Sequence, residues 1–357
     1  MFSVNTSVVQ RLPEKYRTSL FRIRIFFTVA PVQKRWLKLV LLMFVLYAVV
    51  SVACGILLAE VTLHLPRRPL RHQAKAAEIV RQQFHTELRD VSIAATDGIP
   101  LKAWYVRPNH FNGDEVILLH GVTDNREGVA GFAPMFLNRG YAVLLPDARA
   151  HGESGGTIAT YGLKERYDIW QWSAWLKQHS KGCVYLFGES MGAAIAVQAT
   201  EVTPDLCAVA VESPFSTFRE IAYDRMAEHS PFGTWFWRTA GRPLIEVALA
   251  YARWRYDVDL TQADPERAME HSTVPTLLIA GTADRNIPMR HSAELMRTSA
   301  SHAALWIVKG ADHGGAVTAA GPQEFQRRIF DWLQQHHAPP AQSPAAHPQA
   351  EAPAAID

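Results

Sequence analysis

The chain has 357 residues, of which 48% are hydrophobic and 20% are charged, which is enough for one large globular domain with accessory segments. The net charge of +2 is uneven: residues 1–38 carry eight Lys and Arg against one Glu, whereas the remainder carries 28 basic and 33 acidic residues. The larger part thus has no basic excess, and we expect no nucleic-acid partner. Three cysteines are too few for a disulfide framework, and no CxxC or HExxH pattern indicates a metal site, so we expect neither metal nor cofactor.

The first element is an uncharged run of 21 residues at 39–59, which is long enough to cross a bilayer as a helix. We interpret it as a transmembrane helix after a basic segment, 1–38, and before a linker and helix at 60–87. A buried core helix, a cleaved signal peptide and an organellar targeting sequence are the alternatives. The basic excess before the run favours a cytoplasmic N-terminus with the rest of the chain on the opposite side, although a second basic cluster follows at 67–75.

Beyond residue 87 the chain alternates short apolar runs with helical stretches. Residues 89–96 and 101–106 flank a turn at Asp97-Gly98, which predicts an antiparallel hairpin. Six further runs have the length of buried strands: 116–120, 141–146, 184–187, 208–211, 276–280 and 305–308. The pattern predicts an α/β fold over residues 88–337, with a mostly parallel eight-stranded sheet flanked by helices.

Two stretches stand outside this alternation. Residues 214–272 are rich in Trp and Tyr and longer than a simple crossover, so we expect a small helical cap over the strand ends. Residues 338–357 are rich in Ala and Pro, and this composition predicts a disordered tail.

Cys183 and Cys207 fall near the starts of two predicted strands. A disulfide between them is conceivable in an oxidising compartment. Because buried cysteines are commonly free, we expect two buried thiols here.

A nucleophile is predicted at Ser190, in the sequence Gly188-Glu189-Ser190-Met191-Gly192. The segment before it is a predicted strand and the segment after it a small-residue helix, so the serine lies on a tight strand-to-helix turn. Gly188 and Gly192 permit the close backbone approach that such a turn requires. The turn raises the hydroxyl above the sheet, at a helix N-terminus that favours negative charge.

A serine hydroxyl needs a base, and the base needs an orienting acid. His313 follows the last predicted strand and Asp284 follows the strand before it, where an α/β sheet places its ligand crevice. We assign His313 as base and Asp284 as acid. Glu212 is the rival acid, whereas Asp312 is too close to His313 along the backbone to be its partner.

The loop His120–Arg126 follows the first predicted central strand. Its Gly121 lets the chain turn back towards the serine, so the Val122 N–H is a candidate oxyanion donor beside the Met191 N–H. His120 and His151 lie in loops that precede the serine along the chain, and we expect them to form structural hydrogen bonds.

Together these residues resemble the α/β-hydrolase superfamily, over Val91 to Leu333. The segment 147–156, DARAHGESGG, looks like the family's D-x-R-x-H-G-x-S loop. The segment His120–Arg126 is similar to the H-G-x-x-x-N-R form of membrane-anchored, serine aminopeptidase-like α/β-hydrolase-domain proteins. The resemblance implies the fold, an acyl-enzyme mechanism, and an oxyanion hole at Val122 and Met191.

The resemblance specifies the chemistry better than the substrate. The first hypothesis is hydrolysis of carboxylic esters, with a small-molecule, lipid-like or acyl-protein ester or thioester as substrate. An aminopeptidase is the alternative, in which Glu220, Asp224 and Glu228 would hold an α-amino group. An acyltransferase and a non-catalytic membrane-tethered binding protein are further readings, and the oligomeric state stays open.

Overall fold

The computed structural model describes residues 31–299 and 301–338. The chain divides into two compact units, residues 1–50 and 51–357. The predicted tail, apart from its first residue, and residues 1–30 of the basic segment lie outside the described part.

Helix α1, Pro31–Leu63, begins before the predicted apolar run and ends after it. Over Lys34–Leu63 it is long and apolar enough to cross a membrane. The helix continues past residue 59 because the next residues include no Gly or Pro that would end it.

Eight strands form one sheet in the order β1-β2-β4-β3-β5-β6-β7-β8. The first two form the predicted antiparallel hairpin, β2 is also antiparallel to β4, and the strands from β3 onward run parallel. The mostly parallel eight-stranded sheet is therefore confirmed. The strands are β1 Leu88–Ala94, β2 Pro100–Val106, β3 Glu115–Leu119, β4 Ala142–Pro146, β5 Val184–Glu189, β6 Ala208–Glu212, β7 Thr276–Gly281 and β8 Ala303–Val308.

Both faces of this sheet are buried, because its strands are apolar at successive positions. In β3, Ile117 and Leu119 join one hydrophobic core, whereas Val116 and Leu118 join the core on the other face. Helices then cover each face. The helices after α1, including those of the cap, are α2 Gln73–Phe84, α3 Arg126–Val129, α4 Ala133–Leu137, α5 Glu165–Lys177, α6 Met191–Val202, α7 Phe218–Glu228, α8 Thr234–Arg238, α9 Arg242–Tyr256, α10 Pro265–His271, α11 Arg290–Thr298, α12 Ala316–Ala320 and α13 Pro322–Gln335.

The predicted cap is helical and lies between β6 and β7. Helices α7, α8 and α9 and the 3-10 turn Leu260–Gln262 pack on one another. Helix α10, at the end of the predicted cap range, packs on α6 and thus belongs to the layer that covers the sheet.

The prediction of free thiols at Cys183 and Cys207 is wrong, because the two residues form a disulfide. Each cysteine immediately precedes a strand, and β5 and β6 are parallel neighbours. The Cys207 N–H donates to the Val184 carbonyl at 3.0 Å, which aligns the two strand starts. The Cα atoms are consequently 5.6 Å apart, which is a separation that a disulfide spans.

Candidate active site

The turn between β5 and α6 places Ser190 in a strained conformation. Its φ of 55° and ψ of −119° lie outside the regions that side-chain-bearing residues normally adopt. The Ser190 N–H donates to the Glu212 carbonyl on the neighbouring strand at 2.9 Å, which helps to hold this geometry. A Cβ at Gly192 would collide with the Leu119 carbonyl, and one at Gly188 with the Gly192 carbonyl. The two glycines are therefore steric requirements of the turn.

Ser190, His313 and Asp284 form one chain of hydrogen bonds. The Ser190 Oγ lies 3.0 Å from His313 Nε2, and His313 Nδ1 lies 2.9 Å from Asp284 Oδ2. The carboxylate can only accept, so Nδ1 carries the proton and Nε2 is free to accept from the hydroxyl. This is the geometry that a nucleophile, its base and an orienting acid require.

Asp284 is anchored by two further donors. Ser213 Oγ donates to Oδ2 at 2.7 Å, and the Ile287 N–H donates to Oδ1 at 2.9 Å. Burial by itself raises the pKa of Asp284, but the hydrogen bonds from His313, Ile287 and Ser213 outweigh it and hold the pKa below its usual value. The carboxylate is thus ionised at neutral pH. Sequence reasoning missed Ser213, whose only signal is its place directly after β6.

The rival acid Glu212 forms no hydrogen bond with His313, which is bonded to Asp284. Its Oε1 accepts the Ala316 N–H at 2.8 Å, and its buried Oε2 has no partner among the described residues. Burial raises the pKa of Glu212 to about 7. Glu189 is its register partner on β5, and burial together with the Glu212 charge raises the pKa of Glu189 to about 8.

The loop after β3 lies against the serine, as predicted. A Cβ on Gly121 would be 3.6 Å from the Ser190 Cβ, and Val122 and Met191 border the same cavity as Ser190. Within the described part of the chain, neither the Val122 nor the Met191 N–H has a backbone or side-chain acceptor. Both amides are therefore available to an oxyanion.

His120 is fixed as a structural residue. Its Nδ1–H donates to the Gly121 carbonyl at 2.8 Å, and its Nε2 accepts the Ala148 N–H at 3.0 Å. Burial lowers the pKa of His120 to about 4, so the ring stays neutral and braces the loop. His151 is bonded through Nδ1 to the Arg149 carbonyl at 2.9 Å, also away from Ser190.

The D-x-R-x-H-G-x-S loop, residues 147–156, supports the loop that follows β3. Asp147 accepts the Arg126 N–H at 2.8 Å, which ties it to the end of the loop after β3. The buried Arg149 forms a bidentate pair with Asp168, at 2.8 and 2.6 Å. These residues act as scaffold and do not reach the serine.

The hydroxyl of Ser190 opens into an apolar cavity of about 260 Å³. Its walls come from the cap, from the loop after β3 and from the last turns of α1. The lining residues are Leu58, Ala59, Thr62, Val122, Tyr161, Ser190, Met191, Phe215, Phe218, Ile221, Ala222, Arg225, Met226, Ile245, Ala248, Leu249, Leu260, Asn286, Ile287 and His313. Arg225 is the lone Lys, Arg, Asp or Glu among them, so the cavity suits an uncharged, apolar group.

The cap acids that an aminopeptidase would use are already paired. Glu220 contacts Arg238 and Arg290, Asp224 contacts Arg290, and Glu228 contacts Arg225. Their charges are balanced within the protein, and none of these acids lines the cavity.

One group of metal-binding residue types occurs in the described part of the chain. Ligand atoms of Asp114, Cys183 and His337 lie within 4.8 Å of one another. Since the Cys183 sulfur is in the disulfide, it provides no thiolate, and the group does not fit a metal site.

Comparison with known proteins places the chain in a family. The sequence profile of the alpha/beta hydrolase family matches residues 116–328. The chain is 28% identical to the uncharacterized protein YqkD of Bacillus subtilis, over 63% of this chain and 73% of that protein. It is 30% identical to the thermostable monoacylglycerol lipase of Bacillus sp. H-257 over a shorter stretch, 26% of this chain and 38% of the lipase.

Solved structures show the same fold. The Pyrococcus furiosus esterase Pf2001 superposes with a TM-score of 0.62 at 23% identity, covering 78% of this chain and 99% of the esterase. An acylaminoacyl peptidase of Pyrococcus horikoshii superposes with a TM-score of 0.52 at 16% identity, covering 73% of this chain and 43% of the peptidase. With the family profile spanning the nucleophile turn and the residues that follow β7 and β8, the chain belongs to the alpha/beta hydrolase family.

Proposed function

We propose that this protein is a serine hydrolase that cleaves carboxylic esters with apolar acyl groups. The observation that carries the proposal is the chain of hydrogen bonds from Ser190 through His313 to Asp284, which lies at an apolar cavity. Such a chain of hydrogen bonds, called the relay below, activates the serine hydroxyl as a nucleophile. The cavity beside it accepts a hydrocarbon chain. Two similar proteins are named for ester cleavage, the Pyrococcus esterase and the Bacillus lipase.

In the acylation step, the Ser190 Oγ attacks the ester carbonyl carbon while His313 Nε2 takes the hydroxyl proton. The carbonyl oxygen becomes an oxyanion, which the Val122 and Met191 N–H groups stabilise. When the tetrahedral intermediate collapses, His313 returns the proton to the leaving alkoxide, and the acyl group stays on Ser190. Water, deprotonated by His313, then releases the carboxylic acid and restores the serine.

The test is hydrolysis of p-nitrophenyl esters of two to twelve carbons by the full chain in detergent. Ser190→Ala should reduce turnover at least about 10⁴-fold, because it removes the nucleophile. The matched control is Ser216→Ala, since Ser216 Oγ also lies 2.9 Å from a histidine nitrogen, in His291, yet does not line the cavity. Turnover of the control should stay within about threefold of the wild type.

Three outcomes would reject the proposal. They are no ester turnover, turnover that survives Ser190→Ala, and faster cleavage of a proline-aminoacyl amide than of any ester. The last would favour the aminopeptidase reading, and transfer of the acyl group to an added alcohol in preference to water would favour an acyltransferase.

For the membrane, we propose that α1 crosses the bilayer once, with the N-terminus in the cytoplasm and the hydrolase body on the opposite side. The basic excess in residues 1–38 supports this orientation. The disulfide between Cys183 and Cys207 supports it independently, because disulfides persist mainly in oxidising compartments. A topology reporter fused after residue 75 should be active as alkaline phosphatase and inactive as β-galactosidase, and the reverse pattern would contradict the orientation.

A further inference from the structure

The end of α1 is built into the hydrolase body. The last carbonyls of a helix lack partners within the helix, and here the body supplies them. The Thr62 carbonyl accepts the Tyr161 hydroxyl at 2.7 Å, and the Leu63 carbonyl accepts the Ala159 N–H at 2.9 Å. The C-terminal turn of α1 is therefore held in a defined position.

Helix α9 of the cap holds α1 from a second side. The Tyr251 and Tyr256 hydroxyls both donate to the Glu60 carboxylate at 2.7 Å. One turn earlier, a Cβ at Gly55 would lie 2.7 Å from the Leu244 carbonyl, so the two helices touch through their backbones there. This contact leaves no room for α1 to slide or rotate against the cap.

The same turns of α1 form part of the cavity at Ser190. Leu58 and Thr62, one turn apart, line it together with Ala59. Their neighbours Leu57 and Val61 do not line the cavity and are 63% and 62% exposed. One face of the helix thus borders the site, while another face carries exposed apolar side chains that suit lipid.

We propose that α1 is a specificity-determining wall of the active site, and that the substrate is a bilayer lipid ester whose acyl chain lies against Leu58 and Thr62. This inference rests on the proposed ester hydrolase activity. A cavity of about 260 Å³ is at the small end of ligand sites, so it takes a single chain. Because its wall is the membrane helix itself, a chain can pass from the bilayer to Ser190 along apolar surface.

The cap surface carries exposed tryptophans, as a protein surface beside a membrane would. Trp254, on α9, is 80% exposed, and Trp235, on α8, is 78% exposed. Exposed tryptophans are typical of the membrane–water interface, where the ring meets both lipid and water. The Trp254 ring lies 6.1 Å, centroid to centroid, from the ring of Tyr251, which holds α1 through Glu60, so the exposed tryptophan adjoins the contact between the cap and α1.

The test uses the full chain in phosphatidylcholine vesicles and two phosphonate probes that label Ser190, dodecyl and ethyl fluorophosphonate. We compare their labelling rates in the wild type, Leu58→Trp and Leu57→Trp. Leu58→Trp fills the space that the dodecyl group would occupy. It should lower the dodecyl-to-ethyl rate ratio at least about tenfold, because about two methylenes of the probe would lose their contact with the cavity wall. Leu57→Trp places the same ring on the exposed face of the same helix, and it should leave the ratio unchanged.

Labelling by the ethyl probe shows that each variant is folded. Leu58→Ala provides the complementary test, because a wider cavity should shift the preferred ester by about two to four carbons. A ratio that is equal in the wild type and Leu58→Trp, or lowered as much by Leu57→Trp, overturns the inference while ester turnover persists. Labelling without turnover of any ester overturns the proposed function, and with it the lipid ester as substrate.

Discussion

Replacing Asp284 by Asn should inactivate the enzyme through the proton position on His313. The Ile287 N–H donates to Oδ1, so the amide oxygen of the variant takes that place and the amide NH2 takes the place of Oδ2. That NH2 donates to His313 Nδ1, and the Ser213 hydroxyl can rotate to accept from it. The imidazole proton must then sit on Nε2, where it points at the Ser190 Oγ and blocks proton transfer.

The expected loss in kcat is about 10⁴-fold, or about 5.5 kcal/mol, which is the effect of a wrong tautomer in such a relay. The matched variant Glu212→Gln keeps the bond from the Ala316 N–H and should cost less than about tenfold, because Glu212 forms no hydrogen bond with His313. The assay is steady-state hydrolysis of p-nitrophenyl butyrate, with thermal unfolding to confirm that both variants fold. An Asp284→Asn variant within tenfold of the wild type, or a larger loss in Glu212→Gln, would refute the reasoning.

Three further predictions concern stability. Reducing the disulfide between Cys183 and Cys207, 24 residues apart, should lower the unfolding free energy by about 3 kcal/mol. The melting temperature should therefore fall with reductant in the wild type but not in the double variant with Cys183→Ser and Cys207→Ser. Gly192→Ala should sharply reduce the yield of folded protein, since its Cβ would meet the Leu119 carbonyl; a normal yield would contradict this. The folded Glu189 carboxyl, with its pKa raised to about 8, keeps a proton that the unfolded chain releases near 4.5. The contribution of the Glu189 carboxyl to the unfolding free energy is therefore complete below pH 4.5, and it falls by about 1.4 kcal/mol per pH unit as pH rises towards 8. The melting temperature of Glu189→Gln should consequently rise relative to that of the wild type between about pH 5 and 8.

Ser190, Asp284 and His313 could be predicted because each lies within five residues after an apolar run. Ser190, Asp284 and His313 were located from strand lengths and chain order, and the structure brings these three together. Ser213 could not be predicted, since its role depends on β6 and β7 being neighbours, a relation that lies between segments distant in sequence. The disulfide was missed for the same reason, because only the parallel alignment of β5 and β6 brings Cys183 to Cys207.

The role of α1 shows a different limit of sequence reasoning. The hydropathy of α1 predicts a membrane span. Hydropathy alone does not predict the second property of the helix, which is that one of its faces packs against protein. Ser51, Gly55, Ala59 and Leu63 recur every four residues and are buried, a stripe that packs against protein and not against lipid. In an apolar run, such a stripe of mostly small residues does not reveal whether its partner is another membrane helix or the cap of a hydrolase.

The carboxyl groups near His313 differ in their preferred protonation states, and this difference bears on the proposed oxyanion at Ser190. Asp284 is ionised because three donors surround its carboxylate. Glu189 and Glu212 lie side by side at the ends of β5 and β6. Glu212 accepts one backbone N–H, from Ala316, but burial outweighs it, and burial raises the pKa of Glu189 to about 8 and that of Glu212 to about 7. Were both ionised, their charges would oppose the oxyanion forming on Ser190 in a region of low dielectric. Burial thus favours the neutral forms of Glu189 and Glu212, whereas Asp284 carries its charge where the proposed imidazolium needs it. A Glu that ionises at higher pH would work against the proposed reaction.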